Sequence, residues 1–392
     1  MNKAILHTEK QDFIKNNISS NINELILKGS PFNDVDIKEL AEQIEAKKKC
    51  QNKLPTWFKT PGIYYPNKLN VEQTSSEVTA EYKSKIIEGD SLIDVTGGLG
   101  VDDYYFSKRF NQVVHCEMNP YLSELAHHNF EKLRVSNIQP YCGDGLEFIQ
   151  NSNEQYDWVY LDPSRRSEIK GKVFLLDDCL PNVPKNLDLL FSKTNQILIK
   201  TSPLLDISIG LSELQFVKEI HVVAVNNEVK ELLWILEKGF TNEPKIQTIN
   251  LGHENSPFSF FPSEETEQEV LYGMPKTFVY EPNSAILKSG GFKVLTKYFN
   301  VKKLHQHSHL YTSDSLLEFP GRSFKILHVL TYNKKALKQL NITKANITTR
   351  NFPESVEQLR KKFKIKDGGE TYLFFTTNCE GDKIILVCQK PS

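Results

Sequence analysis

Four stretches of this chain carry acids, two of them beside glycines, at spacings that could hold a ligand and aim a reaction. The first is Asp94-Val95-Thr96-Gly97-Gly98-Leu99-Gly100, where the apolar run Ser91-Leu92-Ile93-Asp94-Val95 passes straight into three glycines spread over four positions. Glycine lets backbone approach a ligand closely and take positive φ without strain. The spacing is GGxG rather than GxGxxG, so the pyrophosphate-binding fingerprint is incomplete. A cofactor without phosphates, its amino-acid end over the loop, fits this spacing better. The second stretch is His115-Cys116-Glu117-Met118. A carboxylate there can accept two hydrogen bonds from the vicinal hydroxyls of a ribose. The third is Cys142-Gly143-Asp144-Gly145, whose acid can accept from an adenine exocyclic amine. The fourth is Asp162-Pro163-Ser164-Arg165-Arg166. Asp162 and the Pro163 carbonyl can accept hydrogen bonds from an amine, while guanidinium grips phosphate or stacks on a base.

Each acid also has a plain structural reading, as the N-cap of a following helix. One arginine could equally pair with a strand-end acid such as Asp144. What sets the four apart is their placement. Strand candidates fall at 91–95, 113–117, 138–142, 156–162, 196–201, 219–225 and 231–237, with helical stretches between the first five. Alternating strands and helices predict a parallel sheet covered on both faces. The acids then stand at the ends of successive parallel strands, the edge where open α/β sheets bind ligands. The link at Asn226-Asn227-Glu228 is too short for a crossover, so the last two strands form an antiparallel hairpin.

The rest of the chain is organised around this segment. Residues 1–70 read as a helical region, broken at Ser30-Pro31-Phe32-Asn33-Asp34, with an extended, proline-punctuated crossing from Lys53 to Pro66. Residues 71–250 form the α/β domain. Residues 251–320 read as a small α+β (ferredoxin-like) domain, with strands at 277–280 and 304–312 and a helix from Asn283 or Ser284 to Phe299. Residues 321–392 form a last, basic domain. From Arg322 onward there are 14 Lys and Arg against 6 Asp and Glu, a balance of +8 in a chain of net charge −1, so the remainder carries about −9. Asymmetry of this kind points to nucleic acid, a solvated basic surface being the alternative.

Composition excludes other classes. The chain is 39% apolar and 25% charged, and no apolar run approaches the roughly 18 residues that span a bilayer. No secretory h-region follows Met1, and the six cysteines form no CxxC pair, so a reducing cytoplasm is expected. His305, His307 and His309 alternate, as on one face of a strand, but no carboxylate pattern accompanies them and no metal is expected. Cys116, Cys142 and Cys179 read as core residues. Ser75 or Ser76 reads as the cap of a helix from Glu77, or with Gln73 and Thr79 as a reach over the cofactor carboxylate.

Taken together, these motifs resemble a class I S-adenosylmethionine-dependent methyltransferase. The resemblance implies a Rossmann-like, mostly parallel sheet closed by an antiparallel hairpin. It implies a cofactor site at Asp94, Thr96, Gly97, Gly98, Gly100, Glu117, Met118, Gly143 and Asp144. Asp162-Pro163 is similar to the start of the Asn/Asp-Pro-Pro-aromatic motif of enzymes that methylate exocyclic amines. These two residues would be catalytic, and Ser164, Arg165 and Arg166 would bind substrate. Ser164 and Arg165 depart from the second proline and the aromatic. Gln73-Thr74-Ser75-Ser76-Glu77-Val78-Thr79-Ala80, Lys200-Thr201-Ser202-Pro203, Asn227-Glu228-Val229-Lys230-Glu231-Leu232 and Phe319-Pro320-Gly321-Arg322 narrow the resemblance to a bacterial family with a C-terminal THUMP-like domain. RNA is the implied partner. The alternatives are an RNA-binding or scaffold protein without turnover, and a methyltransferase acting on protein or a small molecule. A nicotinamide oxidoreductase is disfavoured by the glycine spacing and the hairpin.

Overall fold

The computed structural model describes residues 1–165, 175–252 and 257–391, with Arg165 described for its backbone only. The chain divides into two compact units, Met1–Lys218 with Leu232–Thr241 and Glu219–Glu231 with Asn242–Ser392.

In the first unit the strands are β1 (Ser91–Asp94), β2 (Gln112–Glu117), β3 (Ile138–Cys142) and β4 (Trp158–Leu161), then a short antiparallel ribbon of β5 (Ser164–Arg165) with β6 (Cys179–Leu180), then β7 (Gln196–Thr201). β4, β1, β2 and β3 lie side by side in that order, with β7 beyond β4, and all five run parallel. Leu92, Ile93, Val159, Leu161, Ile197, Leu198 and Ile199 are all buried. Such unbroken apolar runs are what strands covered on both faces require. The helices Pro120–Lys132, Gly145–Asn151 and Val183–Phe191 each start at a side-chain cap, from Asn119, Asp144 and Asn182. A parallel strand followed by a capped helix returns every strand's C-terminal end to one edge.

The N-terminal helices Thr8–Asn16, Ile22–Lys28 and Ile37–Lys53 share one core with Leu99, Val101, Tyr105 and Leu125 of the sheet domain. The Tyr64 backbone and the Asn129 amide exchange two hydrogen bonds, at 3.0 and 2.9 Å, across that seam. The crossing after Lys53 is not extended throughout: Pro55–Lys59 forms a helix. Pro55 occupies its first turn, where the missing N–H costs nothing, and the Glu77 carboxylate takes the Thr56 N–H.

Next come β8 (Val217–Val225) and β9 (Glu228–Glu237). Asn226 and Asn227, at φ +50° and +64°, reverse the chain between them, the backbone pattern of a two-residue hairpin turn. The Leu232–Glu237 part of β9 belongs to the first unit, where it runs antiparallel to β7. In the second unit β8 pairs in parallel with β10 (Lys245–Leu251), which pairs antiparallel with β11 (Phe258–Phe260). β10 is absent from the sequence reading because its inward positions include the polar Thr248 and Asn250, which break the apolar signal. Thr248 donates to the Phe258 carbonyl, and Asn250 accepts from the Asn227 N–H.

The remainder of this unit is a sheet of seven strands: β12 (Phe278–Pro282), β13 (Lys302–Lys303), β14 (Tyr311–Ser313), β15 (Gly321–Thr331), β16 (Asn346–Arg350), β17 (Tyr372–Thr377) and β18 (Lys383–Gln389), in the order β13–β14–β12–β15–β18–β17–β16. The helices Lys334–Lys338 and Val356–Phe363 contribute Leu337, Leu359 and Phe363 to a core with Ile347, Phe375 and Ile385. Asn283 caps a helix as expected, but it ends at Ser289, where Gly290 turns at φ +80°, and a separate helix spans Val294–Tyr298. Of the expected strand 304–312 only Tyr311 and Thr312 lie in a strand, as the start of β14, and the rest is the turn between β13 and β14. His309 is left-handed there (φ +50°), so His305, His307 and His309 do not share a strand face. Among the described residues no helix is long and apolar enough to cross a membrane.

His309 gives this unit a pH dependence. Its ring stacks on Phe292 at 3.8 Å between centroids. Burial, helped by the charges of Lys303 and Arg350, pushes its pKa down to about 4. The unfolded chain then binds a proton below about 6.5 that the folded chain refuses until about 4. Stability is therefore full above pH 6.5 and falls as pH drops through that window. His309→Asn keeps the left-handed backbone and removes the titrating ring. Melting curves from pH 7 to 4.5 should show a smaller loss of Tm in this variant than in the wild type; an equal loss would refute the assignment.

Candidate cofactor and substrate site

The C-terminal ends of β1 to β4 open onto a cleft of about 740 Å³ in the first unit. Asp94, Thr96, Gly97, Gly98, Glu117, Met118, Asp144, Asp162 and Ser164 all line it. Gly100, Gly143 and Pro163 are not among its lining residues. Arg166 and the Arg165 side chain lie outside the described residues.

The loop after β1 is held by a short relay. Asp94 Oδ1 accepts from the Thr96 N–H (2.7 Å) and hydroxyl (3.0 Å), and the Thr96 oxygen accepts from the Asp162 N–H at 2.7 Å. The ends of β1 and β4 are thereby tied together. Glu117 ties β2 to the same loop: Oε2 accepts from the Gly98 N–H at 2.8 Å, and Oε1 from the Asn119 N–H at 2.7 Å. A carboxylate has about four acceptor positions, so two remain. Two glycines are obligatory. A Cβ on Gly97 would stand 2.2 Å from the His115 ring; at Gly100, which is left-handed (φ +72°), it would stand 2.2 Å from the Phe130 ring.

Beneath the loop lies a buried cluster of Asp94, Asp103 and His115, with His115 Nδ1 2.6 Å from Asp103 Oδ2. Burial, reinforced by the Asp103 charge, raises the Asp94 carboxyl well above the usual range. Burial and the Asp102 charge do the same to Asp103, and burial lowers the His115 imidazole. Charge is disfavoured at every member: burial favours the protonated form of the two carboxyls and the neutral form of the imidazole.

Asp102 behaves oppositely. Its Oδ2 accepts from the Ser75 and Tyr160 hydroxyls, each at 2.8 Å, and Lys83 Nζ lies 3.2 Å from its Oδ1. Burial pushes this carboxyl up, but the charges of Lys83 and Lys200 and the two hydroxyls outweigh it and hold it below the usual range. Lys83 is completely buried. Ser75 is thus committed to this network, while Ser76 caps the helix Glu77–Lys85 by accepting from the Thr79 N–H.

Asp162 follows β4 directly, beside Lys200 of the neighbouring β7, and its Oδ2 forms an ion pair with Lys200 Nζ. The Lys200 side chain is only 12% exposed and that of Asp162 37%. Asp144 caps the helix Gly145–Asn151 through Oδ1, at 2.7 Å from the Leu146 N–H, and still lines the cleft. Cap and ligand contact are therefore compatible for this acid. Cys142, expected in the core, is exposed, because β3 is the edge strand of the first unit's sheet.

Sequence reasoning missed Lys83, Asp102, Tyr160 and Lys200 as parts of this site. Lys200 carried a signal, standing one position after the buried run Ile197-Leu198-Ile199 at the level of Asp162. Lys83 carried none, since a lysine on a short helix ordinarily reads as solvated.

The model of a THUMP-like domain matches residues 321–390, and that of a ferredoxin-like domain matches 278–320. No curated protein matches the chain. A solved structure titled "putative methyltransferase", from Porphyromonas gingivalis W83, is 34% identical, with 97% of each chain covered and a TM-score of 0.88. An rRNA methylase from Streptococcus thermophilus is 11% identical over 41% of this chain and 93% of its own, at a TM-score of 0.31, too remote to bear on function. Identity of 34% over 97% of each chain, together with the THUMP-like match at residues 321–390, places this chain in the family of the Porphyromonas protein, class I methyltransferases with a C-terminal THUMP-like domain.

Proposed function

We propose that this protein is an S-adenosylmethionine-dependent methyltransferase that methylates a base, at an exocyclic amine, in ribosomal or transfer RNA in the cytoplasm. The observation that carries the reading is the convergence of Glu117, Asp144 and Asp162 on one cleft floored by the Asp94–Gly100 loop. Its volume of about 740 Å³ lies in the range of small-molecule sites. The residues fit the cofactor. Glu117 keeps acceptor capacity for a diol after holding Gly98 and Asn119, and the glycines leave the loop open to close approach.

S-adenosylmethionine, when bound, supplies an electrophilic methyl group on a sulfonium, so the protein's task is orientation and exclusion of water. Lys200 fixes Asp162 through Oδ2, which leaves Oδ1 and the Pro163 carbonyl to accept from an amine and aim its lone pair. With the cofactor bound, its methyl group would pass from sulfur to the amine that these two acceptors hold, and the amine would release one proton. We assign residues 1–70 as the helical N-terminal region, 71–250 as the catalytic domain, 251–320 as the ferredoxin-like domain and 321–392 as the RNA-gripping domain. In the last, Lys334, Lys335, Lys338, Lys361 and Lys364 are exposed on its two helices or just past their ends. Lysines in this setting supply phosphate contacts and salt dependence.

Calorimetry tests the cofactor reading. The wild type should bind S-adenosylmethionine. Glu117→Ala should weaken it some 10- to 100-fold, the effect of losing hydrogen bonds to a charged group worth about 1.5–3 kcal/mol. No binding by the wild type, or unchanged binding by the variant, would refute it.

A further inference from the structure

The Phe319-Pro320-Gly321-Arg322 motif takes no part in the cleft, yet it builds a distinct charged site in the second unit. Glu281, on β12, is buried to 4% exposure, and two arginines converge on it. Arg322, its register partner on β15, contacts Oε2 through both Nε (2.9 Å) and a terminal nitrogen. Arg350, at the end of β16, reaches Oε1 at 2.7 Å. One arginine is enough to neutralise a buried carboxylate. The second leaves a net charge of +1, and both guanidiniums keep an open side, with Arg322 49% and Arg350 36% exposed.

The site is also held rigid. The Arg322 guanidinium lies 5.5 Å over the Phe324 ring. Asn351, next to Arg350, donates to His305 Nδ1 at 2.9 Å, and the His307 N–H donates to the same nitrogen at 3.1 Å. A doubly accepting Nδ1 places the His305 ring proton on Nε2 and holds Asn351 in place. Arg350 Nε is buried and has no partner of its own. A pinned pair of guanidiniums, each with an open side, matches the fork geometry and charge of a phosphate oxyanion.

We infer that Arg322 and Arg350, clamped by Glu281, form a phosphodiester-binding site that receives one or two backbone phosphates of the RNA substrate. This inference rests on the RNA reading above. Glu281 acts as a spacer that sets the two forks and moderates their charge.

The test is filter binding of single-stranded RNA to the full chain across salt concentrations. Arg322→Ala and Arg350→Ala should each weaken binding about 3- to 10-fold near 0.1 M salt and lower the log–log salt slope by about 1. Glu281→Gln, which removes the negative charge but keeps the shape, should bind more tightly with a steeper slope. Folded arginine variants with wild-type affinity and slope would overturn the site, as would a folded Glu281→Gln that binds no tighter. Should the alanine variants fail to fold, the wild type with Arg322→Lys and Arg350→Lys, which keep a cation on Glu281, still decides. Tripolyphosphate should shift the 15N signals of arginine Nε–H groups that Lys substitution at 322 and 350 removes; no shift at saturation would overturn the proposal. A tripolyphosphate response without any RNA binding would keep the phosphate site and reject the RNA reading.

Discussion

Asp162→Ala is expected to lower methyl transfer about 10²- to 10³-fold, the scale of losing one preorganised polar group at a reacting centre. Cofactor affinity should stay within about threefold of the wild type. The separation follows from geometry. The link from Asp162 to the cofactor loop runs through its backbone N–H to Thr96, which alanine retains. The side chain is joined to Lys200 and takes no part in the Asp94–Thr96 contact. Asp162→Asn keeps an acceptor oxygen but weakens the hold of Lys200, so its rate should fall between the two. Single-turnover rates with calorimetric Kd values check this ordering. Equal loss of binding and turnover would make Asp162 a cofactor ligand instead.

Lys83→Met should be the most destabilising single change in the first unit, by about 3–5 kcal/mol. Lys83 is completely buried and Asp102 nearly so, and removing the ammonium strands the carboxylate between the Ser75 and Tyr160 hydroxyls without a cation at 3.2 Å. Adding Asp102→Asn should recover a substantial part of the loss, because the stranded group is then neutral. Denaturant unfolding of the two single variants and the double variant measures this coupling. A double variant as unstable as the sum of the singles would show that the pair is not coupled.

What the sequence revealed and what it hid have physical reasons. The parallel strands were legible because both faces are buried and leave unbroken apolar runs such as Ile197-Leu198-Ile199. The strand-end acids were legible because parallel strands deliver all their ends to one edge. The Asn226-Asn227 hairpin was legible from its length alone. Lys83 and Lys200 were hidden because pairing with Asp102 and Asp162 is a tertiary fact, with partners 19 and 38 positions away. β10 was hidden by the polar residues it buries, and the 304–310 turn by histidines whose alternation imitates a strand. The role of Glu117 as a brace between two loops was equally invisible, since its partners are backbone N–H groups.

The account turns on transfer of a methyl group from S-adenosylmethionine to RNA. The most direct measurement incubates the purified protein with methyl-labelled S-adenosylmethionine and total RNA from cells lacking this protein, followed by mass spectrometry of the nucleosides. The account predicts one labelled nucleoside, carrying methyl on an exocyclic amine, formed by the wild type and lost with Asp162→Ala. Cofactor bound without label in any nucleoside would contradict it and favour a non-catalytic RNA-binding or scaffold role, and label confined to protein or a small molecule would contradict the choice of RNA.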